Sequence, residues 1–166
     1  IGKERLDLKV VFNTSPIIFL YKLGYLELAR SLFDDIYIPT SVYTEIGEKE
    51  DDLKTLVEGF IKGGTFKQRK IKLTNIFHGL NRRIGMGESE AIVLAIELEA
   101  DYVILDDFVA RKEAVRLGLN VKGTLGIIRK LLTDKHIEVI DMDDLYERLK
   151  KIRFRVKRDI FNRIFE

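Results

Sequence analysis

The chain has 166 residues, of which 46% are hydrophobic and 34% charged, and its formal net charge is +2, the balance of one globular domain with its own core. The absence of cysteine excludes disulfides, thiolate nucleophiles and cysteine-bound zinc. Neither a signal peptide nor a run of about 18 apolar residues is visible, so we expect a cytoplasmic protein without a membrane span.

The chain opens with a predicted strand that leads directly into a helix. LKVVF, residues 8–12, is an apolar run of strand length. Pro16 suits the first position of a helix, and Thr14 or Ser15 would then be its N-cap. We expect this helix to be interrupted at Gly24.

The rest of the chain alternates between strands and helices. The remaining predicted elements are a strand at 36–39, a helix at 41–46 capped by Thr40 or Ser41, a helix at 51–60, an exposed strand or mobile arm at 66–73, a helix at 88–99, a strand at 103–107, a helix at 108–118, a strand at 119–123, a helix at 123–132, a strand at 137–140, and helices at 141–151 and 159–165. This alternation predicts an α/β fold with a mainly parallel sheet covered on both faces.

Polar side chains cluster where the predicted strands end, and ligands of parallel sheets bind beyond the carboxyl ends of the strands. The polar residues at these ends are Asn13, Thr14 and Ser15 after the first strand, Glu45 one or two helical turns after the second, Asp106 and Asp107 at the end of the third, Glu88 and Glu90 in the helix that leads into the third, and Thr124 after the fourth.

Most of these acids also have a structural explanation. Asp107 could cap the next helix and pair with Arg111, the macrodipole favours Glu88 and Glu90 at a helix start, and Glu45 could face water. Asp106 is the hardest to explain in this way, because Asp107 already satisfies the cap. A divalent cation would neutralise the two adjacent carboxylates.

The predicted metal is Mg²⁺ or Mn²⁺, held mainly by oxygen, because the chain has only two histidines, His78 and His136, far apart in sequence. One or two such ions can generate hydroxide and stabilise the leaving oxygen of a phosphodiester.

Basic residues flank the acidic centre of the sequence. No acid occurs from Ile61 to Gly87, and a second basic block begins at Arg148. This arrangement suits a polyanion held near a cation site, although scattered solvated cations would give the same count. The candidate RNA-binding residues are Lys67, Arg69, Lys70, Arg82, Arg83 and Arg111.

Four segments together resemble the PIN-domain family, in particular a prokaryotic PIN-like subgroup. They are VFNTSPIIFLYKLGYLELARSLF, IPTSVYTEI, GMGESEAIVLAIELEADYVILDDFVARKEA and GLNVKGTLGIIRKL, within residues 8–133. The resemblance implies a three-layer α/β/α fold, a Mg²⁺- or Mn²⁺-dependent ribonuclease acting on RNA, a homodimer, and membership of a toxin–antitoxin pair with an antitoxin protein as partner. We expect a single PIN-like domain over residues 1–166, with the basic helical segment of about 148–166 as an appendage.

The resemblance also implies which residues form the site. The four acidic positions of the family fall on Asn13 (with Thr14 or Ser15 as its hydroxyl companion), on Glu45, on Glu90 (with Glu88 nearby), and on Asp106 or Asp107. Asn13 stands where active PIN nucleases usually have aspartate, which should weaken metal binding and could abolish catalysis.

Three hypotheses follow: a metal-dependent endoribonuclease, a PIN-fold module that binds RNA or a protein without catalysis, and a different phosphate-ester hydrolase. The nuclease hypothesis predicts that Asn13, Glu90 and Asp106 converge in one pocket.

Overall fold

The computed structural model describes residues 8–166, so residues 1–7 of the predicted domain lie outside the described range. Its elements are β1 (Lys9–Phe12), α1 (Thr14–Lys22), α2 (Leu26–Arg30), β2 (Asp35–Pro39), α3 (Thr40–Lys49), α4 (Asp51–Lys62), β3 (Phe66–Arg69), α5 (Thr74–Asn81), α6 (Met86–Glu97), β4 (Tyr102–Ile104), α7 (Phe108–Arg116), β5 (Val121–Lys122), α8 (Thr124–Thr133), α9 (Met142–Lys151) and α10 (Arg158–Phe165).

The five strands form one sheet in the order β3-β2-β1-β4-β5, and every pairing is parallel. In the middle of the sheet Val11 pairs with Tyr37 on one side and Val103 on the other. Val10 and Phe12 point into one core cluster and Val11 into a second, because successive strand residues face opposite sides. The predicted parallel α/β fold is confirmed.

Helices cover both faces of the sheet. On one face α1, α4 and α8 contribute Leu20, Val57 and Ile128 to the core. On the other face α6 and α7 contribute Ile92 and Ala110. The three layers of the predicted α/β/α architecture are therefore present.

Two of the predicted elements need correction. Residues 137–140 were predicted as a strand but form the loop between α8 and α9, where Ile140 is 96% exposed and has no strand beside it. Of residues 66–73, the first four form the edge strand β3, and the rest are a loop before α5. Helix α5 was not predicted; it is eight residues long, Leu80 is its one buried residue, and it packs against α6.

The C-terminal segment contributes to the main core. Leu149, Phe154 and Phe161 are buried in the same cluster as the apolar residues of β1 and α1. The segment 148–166, expected to be an appendage, therefore packs on the sheet-covering helices. Among residues 8–166 there is no helix with the length and apolarity that crossing a membrane requires.

Candidate functional site

The candidate site lies at the carboxyl edge of the sheet, between β1 and β4. The chain runs from β1 to β2 and β3 on one side, then crosses over to β4 and β5 on the other. Such a reversal opens a crevice at the strand ends. The backbone N–H of Asn13 donates to the carbonyl of Ile104 (3.1 Å). Asn13 and the residues that follow β4 are thus neighbours.

Asn13 is 3% exposed, and its side-chain Oδ1 is buried without a hydrogen-bond partner among residues 8–166. The residue occupies the N-cap position of α1, but its side chain makes no capping bond. The predicted cap at Thr14 or Ser15 is therefore wrong, since Thr14 is already helical. A buried oxygen without a hydrogen-bond donor lowers the stability of the fold. The position of Asn13 Oδ1 is therefore suited to a bound ligand.

Glu45 is held as a carboxylate by two donors. The Thr14 hydroxyl donates to Oε2 (2.6 Å) and Lys49 Nζ donates to Oε1 (2.9 Å). Burial raises the pKa of Glu45, but these hydrogen bonds and the charge of Lys49 outweigh burial and leave the pKa below its usual value. The sequence analysis did not single out Lys49, although its spacing of four residues from Glu45 is the signal that could have identified it.

Gly87, in the first turn of α6, leaves an open space between these two side chains. A Cβ at this position would lie 3.3 Å from Asn13 Oδ1 and 3.3 Å from Glu45 Oε2. The two oxygens therefore face the same point, which only a glycine keeps free. The sequence analysis did not single out Gly87 as a site residue; the Gly85-Met86-Gly87 sequence at the start of α6 was the available signal.

Glu90 stabilises the start of α3 from outside that helix. Its Oε1 accepts from the backbone N–H of Ser41 (3.3 Å), while the N-cap of α3 is Pro39, which has no capping side chain. The predicted cap by Thr40 or Ser41 is thus wrong. Together with Glu45, Glu48 and Glu88, this residue lines a cavity of ≈ 530 Å³.

Asp106 is anchored by the first residue of α8. The Thr124 N–H donates to Oδ1 (2.8 Å) and the Thr124 hydroxyl donates to Oδ2 (2.6 Å). Burial raises the pKa of Asp106 above its ordinary value, against the opposing effect of these bonds and of the Arg111 charge. Asp106 is thus a positioned, poorly hydrated carboxylate.

Asp107 has a structural role. Its exposed carboxylate accepts from the N–H of Ala110 (2.9 Å) and caps α7. Arg111 does not pair with it but donates to the carbonyl of Leu105 (2.9 Å). Of the two adjacent aspartates, Asp106 is therefore the one that points into the fold.

The acids line two cavities. Glu45, Glu88 and Glu90 share the first, and Asp106 lies on a second of ≈ 430 Å³. Within residues 8–166, no three carboxylates or histidines are grouped closely enough to hold a metal on their own. The convergence of Asn13, Glu90 and Asp106 on one ion stays a prediction.

The predicted RNA-binding cations lie at both edges of the sheet. Lys67 pairs with Asp35 (2.9 Å), and Arg69 and Lys70 stand at the carboxyl end of the edge strand β3. Arg111 lies on α7, which packs beside β5 at the opposite edge. The other two follow α5, where Arg83 pairs with Glu113 (3.3 Å) and Arg82 is exposed.

A five-stranded parallel sheet with Asn13 and Asp106 at its central crevice is consistent with the PIN class of α/β domains. The family model DUF3368, described as a PIN domain, matches residues 9–166, and the chain belongs to this family. The predicted PIN resemblance is thereby confirmed. PIN homologues are generally nucleases and typically use divalent metal ions.

The comparison with solved structures supports the fold. A PilT N-terminus domain protein from the hyperthermophilic archaeon Sulfolobus solfataricus P2 matches with 18% identity and a TM-score of 0.51. The match covers 74% of this chain and 92% of that chain. A search of curated proteins found no match.

Proposed function

We propose that this protein is a metal-dependent endoribonuclease that hydrolyses phosphodiester bonds at the β1/β4 crevice. The observation that carries the proposal is the buried Oδ1 of Asn13, which has no hydrogen-bond partner among residues 8–166 and faces the same point beside Gly87 as Oε2 of Glu45. An orphaned oxygen beside a carboxylate suits a cation better than it suits a closed protein interior.

These residues fit a cation that is only partly coordinated by protein. Mg²⁺ retains several waters and is often held by one or two carboxylates together with substrate phosphates. Asn13 and Glu45 would supply two oxygens from one side of the crevice, and Asp106 would supply a carboxylate from the β4 side. Oxygen ligands suit Mg²⁺ and Mn²⁺ alike.

A bound divalent ion would lower the pKa of water and offset the charge of the scissile phosphate. The chain's own residues orient the site. Thr14 and Lys49 keep Glu45 ionised and fix its direction, and Thr124 fixes both oxygens of Asp106. Asn13 offers a neutral oxygen and cannot accept a proton as a base.

The second candidate is a PIN-fold module that binds RNA or a protein without cleaving RNA. Asn13 favours it, because an amide removes one negative charge from the metal ligands. In that case a single-stranded oligoribonucleotide would bind the protein but stay intact with Mg²⁺ and with Mn²⁺.

The test uses the two adjacent aspartates as a matched pair. Asp107→Asn keeps an N-cap of equal quality, whereas Asp106→Asn removes the anchored carboxylate. We expect Asp106→Asn to lower both Mn²⁺ affinity, measured by calorimetry, and cleavage of an oligoribonucleotide at least about tenfold. Asp107→Asn should stay within about twofold of wild type, as expected for a position outside the metal ligands.

Three results would contradict the proposal. Equal activity of the two variants would remove Asp106 from the site. No cleavage by the wild type with either metal would favour the binding module. Hydrolysis of p-nitrophenyl phosphate in preference to the oligoribonucleotide would favour a different phosphate-ester hydrolase.

The homodimer, the antitoxin partner and the toxin role stay predictions from the family resemblance. Analytical ultracentrifugation tests the first, and growth arrest on induced expression, relieved by Asp106→Asn, tests the toxin role.

A further inference from the structure

A groove of ≈ 430 Å³ runs past Asp106 between α8 and the segment that follows α9. Its cations come from α7, β5, α8 and the segment after α9, and among residues 8–166 Asp106 is the one acid that lines it. The basic residues that line it are Arg111, Lys122, Arg129 and Arg155. The groove therefore carries positive charge up to the carboxylate of the proposed site.

The outer cations of the groove are Arg129 and Arg155, which have no partner among residues 8–166. Within the described part of the chain, the side chains of Arg129 and Arg155 make no hydrogen bond or ion pair. By contrast Lys130, the next residue of α8, pairs with Asp134 (3.2 Å), and Arg163 of α10 pairs with Asp159 (3.4 Å). Arg129 and Arg155 are thus free to bind an anion.

The positive surface continues beyond the groove. A second cavity of ≈ 640 Å³ shares Arg155 with it and adds Lys150, Arg153 and Lys157, and none of the described residues that line it is acidic. Arg153 has a φ of +66°, a left-handed conformation at a helix end that glycine normally adopts. Arg153 is thus a cation at a position where the backbone conformation alone would favour glycine.

An exposed aromatic ring stands at the other end of the groove. Phe108, the residue after Asp107, is 73% exposed, and the cavity beneath it shares Arg111 and Val121 with the groove. Lys112 Nζ lies 5.5 Å from the centre of the ring. An exposed ring beside cations can stack an unpaired base.

We propose that this groove binds single-stranded RNA, with backbone phosphates on Arg129 and Arg155 and a base stacked on Phe108, and so leads the strand across Asp106. The choice of RNA rests on the proposed function. The choice of a single strand rests on Phe108, because bases inside a duplex are stacked on each other and offer no free face.

The test compares two double variants of equal net charge. Arg129→Gln/Arg155→Gln removes the two outer cations of the groove, and Lys130→Gln/Arg163→Gln removes two exposed cations of α8 and α10. Binding of a labelled, unstructured oligoribonucleotide of about a dozen nucleotides is measured by fluorescence anisotropy in EDTA, at several salt concentrations.

We expect the groove variant to bind at least about tenfold more weakly, with the slope of log K against log salt reduced by about 1.4, as loss of two phosphate contacts requires. The control variant should stay within about twofold to threefold of wild type. Phe108→Leu should weaken binding about tenfold without changing the salt slope.

Three results would contradict the proposed RNA-binding groove. They are equal losses of binding in the two double variants, no binding by the wild type, and equally tight binding of a duplex of the same sequence. The proposed function fails separately. If the groove variant loses RNA binding while the wild type cleaves no RNA with Mg²⁺ or Mn²⁺, the groove proposal is supported and the nuclease proposal is contradicted. If the wild type cleaves RNA but the groove variant binds RNA as tightly as the wild type, the nuclease proposal is supported and the groove proposal is contradicted.

Discussion

The side-chain amide of Asn13 determines the charge available at the crevice. Its Oδ1 is buried beside Glu45 and has no donor among residues 8–166. An aspartate here would add a second negative charge to the same space. In the metal-free protein the two carboxylates would repel each other, and with a divalent cation they would cooperate.

The substitution Asn13→Asp should therefore have opposite effects with and without metal. In EDTA we expect the melting temperature to fall by several degrees, as about 1–3 kcal/mol of unpaired buried charge implies. With Mn²⁺ this loss should be recovered, and RNA cleavage should rise about tenfold.

Asn75→Asp, at an exposed position of α5, is the control and should change neither property. Unchanged cleavage and metal affinity in Asn13→Asp would show that the crevice no longer serves as a metal site.

Thr14 controls the protonation of Glu45. Because the folded pKa of Glu45 is lowered, the carboxylate stabilises the fold above its unfolded pKa of about 4.3, and this contribution is lost as pH falls through the folded pKa. Thr14→Val removes the 2.6 Å hydrogen bond. We expect a loss of about 1 kcal/mol at pH 7, since the carboxylate is partly exposed.

Urea unfolding at pH 7 and pH 3 checks this prediction. The difference between wild type and Thr14→Val should shrink as pH falls toward 3, because protonation of Glu45 removes the stabilisation that its lowered folded pKa provides. A pH-independent difference would mean that the valine acts through packing instead.

At the scale of elements, the first turn of α6 contains a glycine that leaves space for the candidate site. Alanine normally stabilises a helix relative to glycine by about 0.5–1 kcal/mol. At Gly87, however, the new Cβ would lie 3.3 Å from Asn13 Oδ1 and from Glu45 Oε2. We expect Gly87→Ala to keep the unfolding free energy within about 1 kcal/mol of wild type and to weaken Mn²⁺ binding at least about tenfold.

Gly59→Ala is the matched control, because its Cβ in α4 would meet no atom within 4 Å. It should be stabilised without any change in Mn²⁺ affinity. Mn²⁺ titration by calorimetry on both variants measures the contrast, and equal affinities would show that the space at Gly87 takes no ion.

The sequence predicts the elements with strong apolar patterns better than those that depend on tertiary partners. β1, β2 and β4 contain the apolar runs VVF, IYIP and YVI, so their positions follow from sequence, and the helices between them favour parallel pairing. Residues 137–140 have an equally apolar pattern but no neighbouring strand, and only the fold reveals this. α5 depends on packing against α6, which local propensity does not encode.

The site shows the same limit. That polar residues follow β1 and β4 is visible in the sequence, because chain order places them at strand ends. The helix starts at Thr14 and Thr40 were assigned to side-chain caps, but the Thr14 hydroxyl binds Glu45, and Glu90 reaches α3 from another helix. Such long-range hydrogen bonds have no signature in local sequence.

At the scale of the whole molecule, the C-terminal helices stabilise the domain. Phe161 is 1% exposed and lies in the main core cluster. We expect Phe161→Ala to lower the unfolding free energy by about 3–5 kcal/mol in one cooperative transition, measured by urea denaturation. Asn162→Ala, at the exposed next position of α10, should change it by less than about 0.5 kcal/mol.

A separate early transition for the C-terminal segment, with the rest of the protein unaffected by Phe161→Ala, would show that residues 148–166 fold as an independent appendage.

The strand order has a consequence for how the protein emerges from the ribosome. The central strand β1 pairs on one side with β2 and on the other with β4. The pairing of Val10 with Tyr102 therefore cannot form until Tyr102 has been synthesised. Pairings so distant in sequence form late. Asn13 and Asp106 are therefore brought together only after residues 102–106 have left the ribosome, so the crevice is completed later than the β1/β2 half of the sheet.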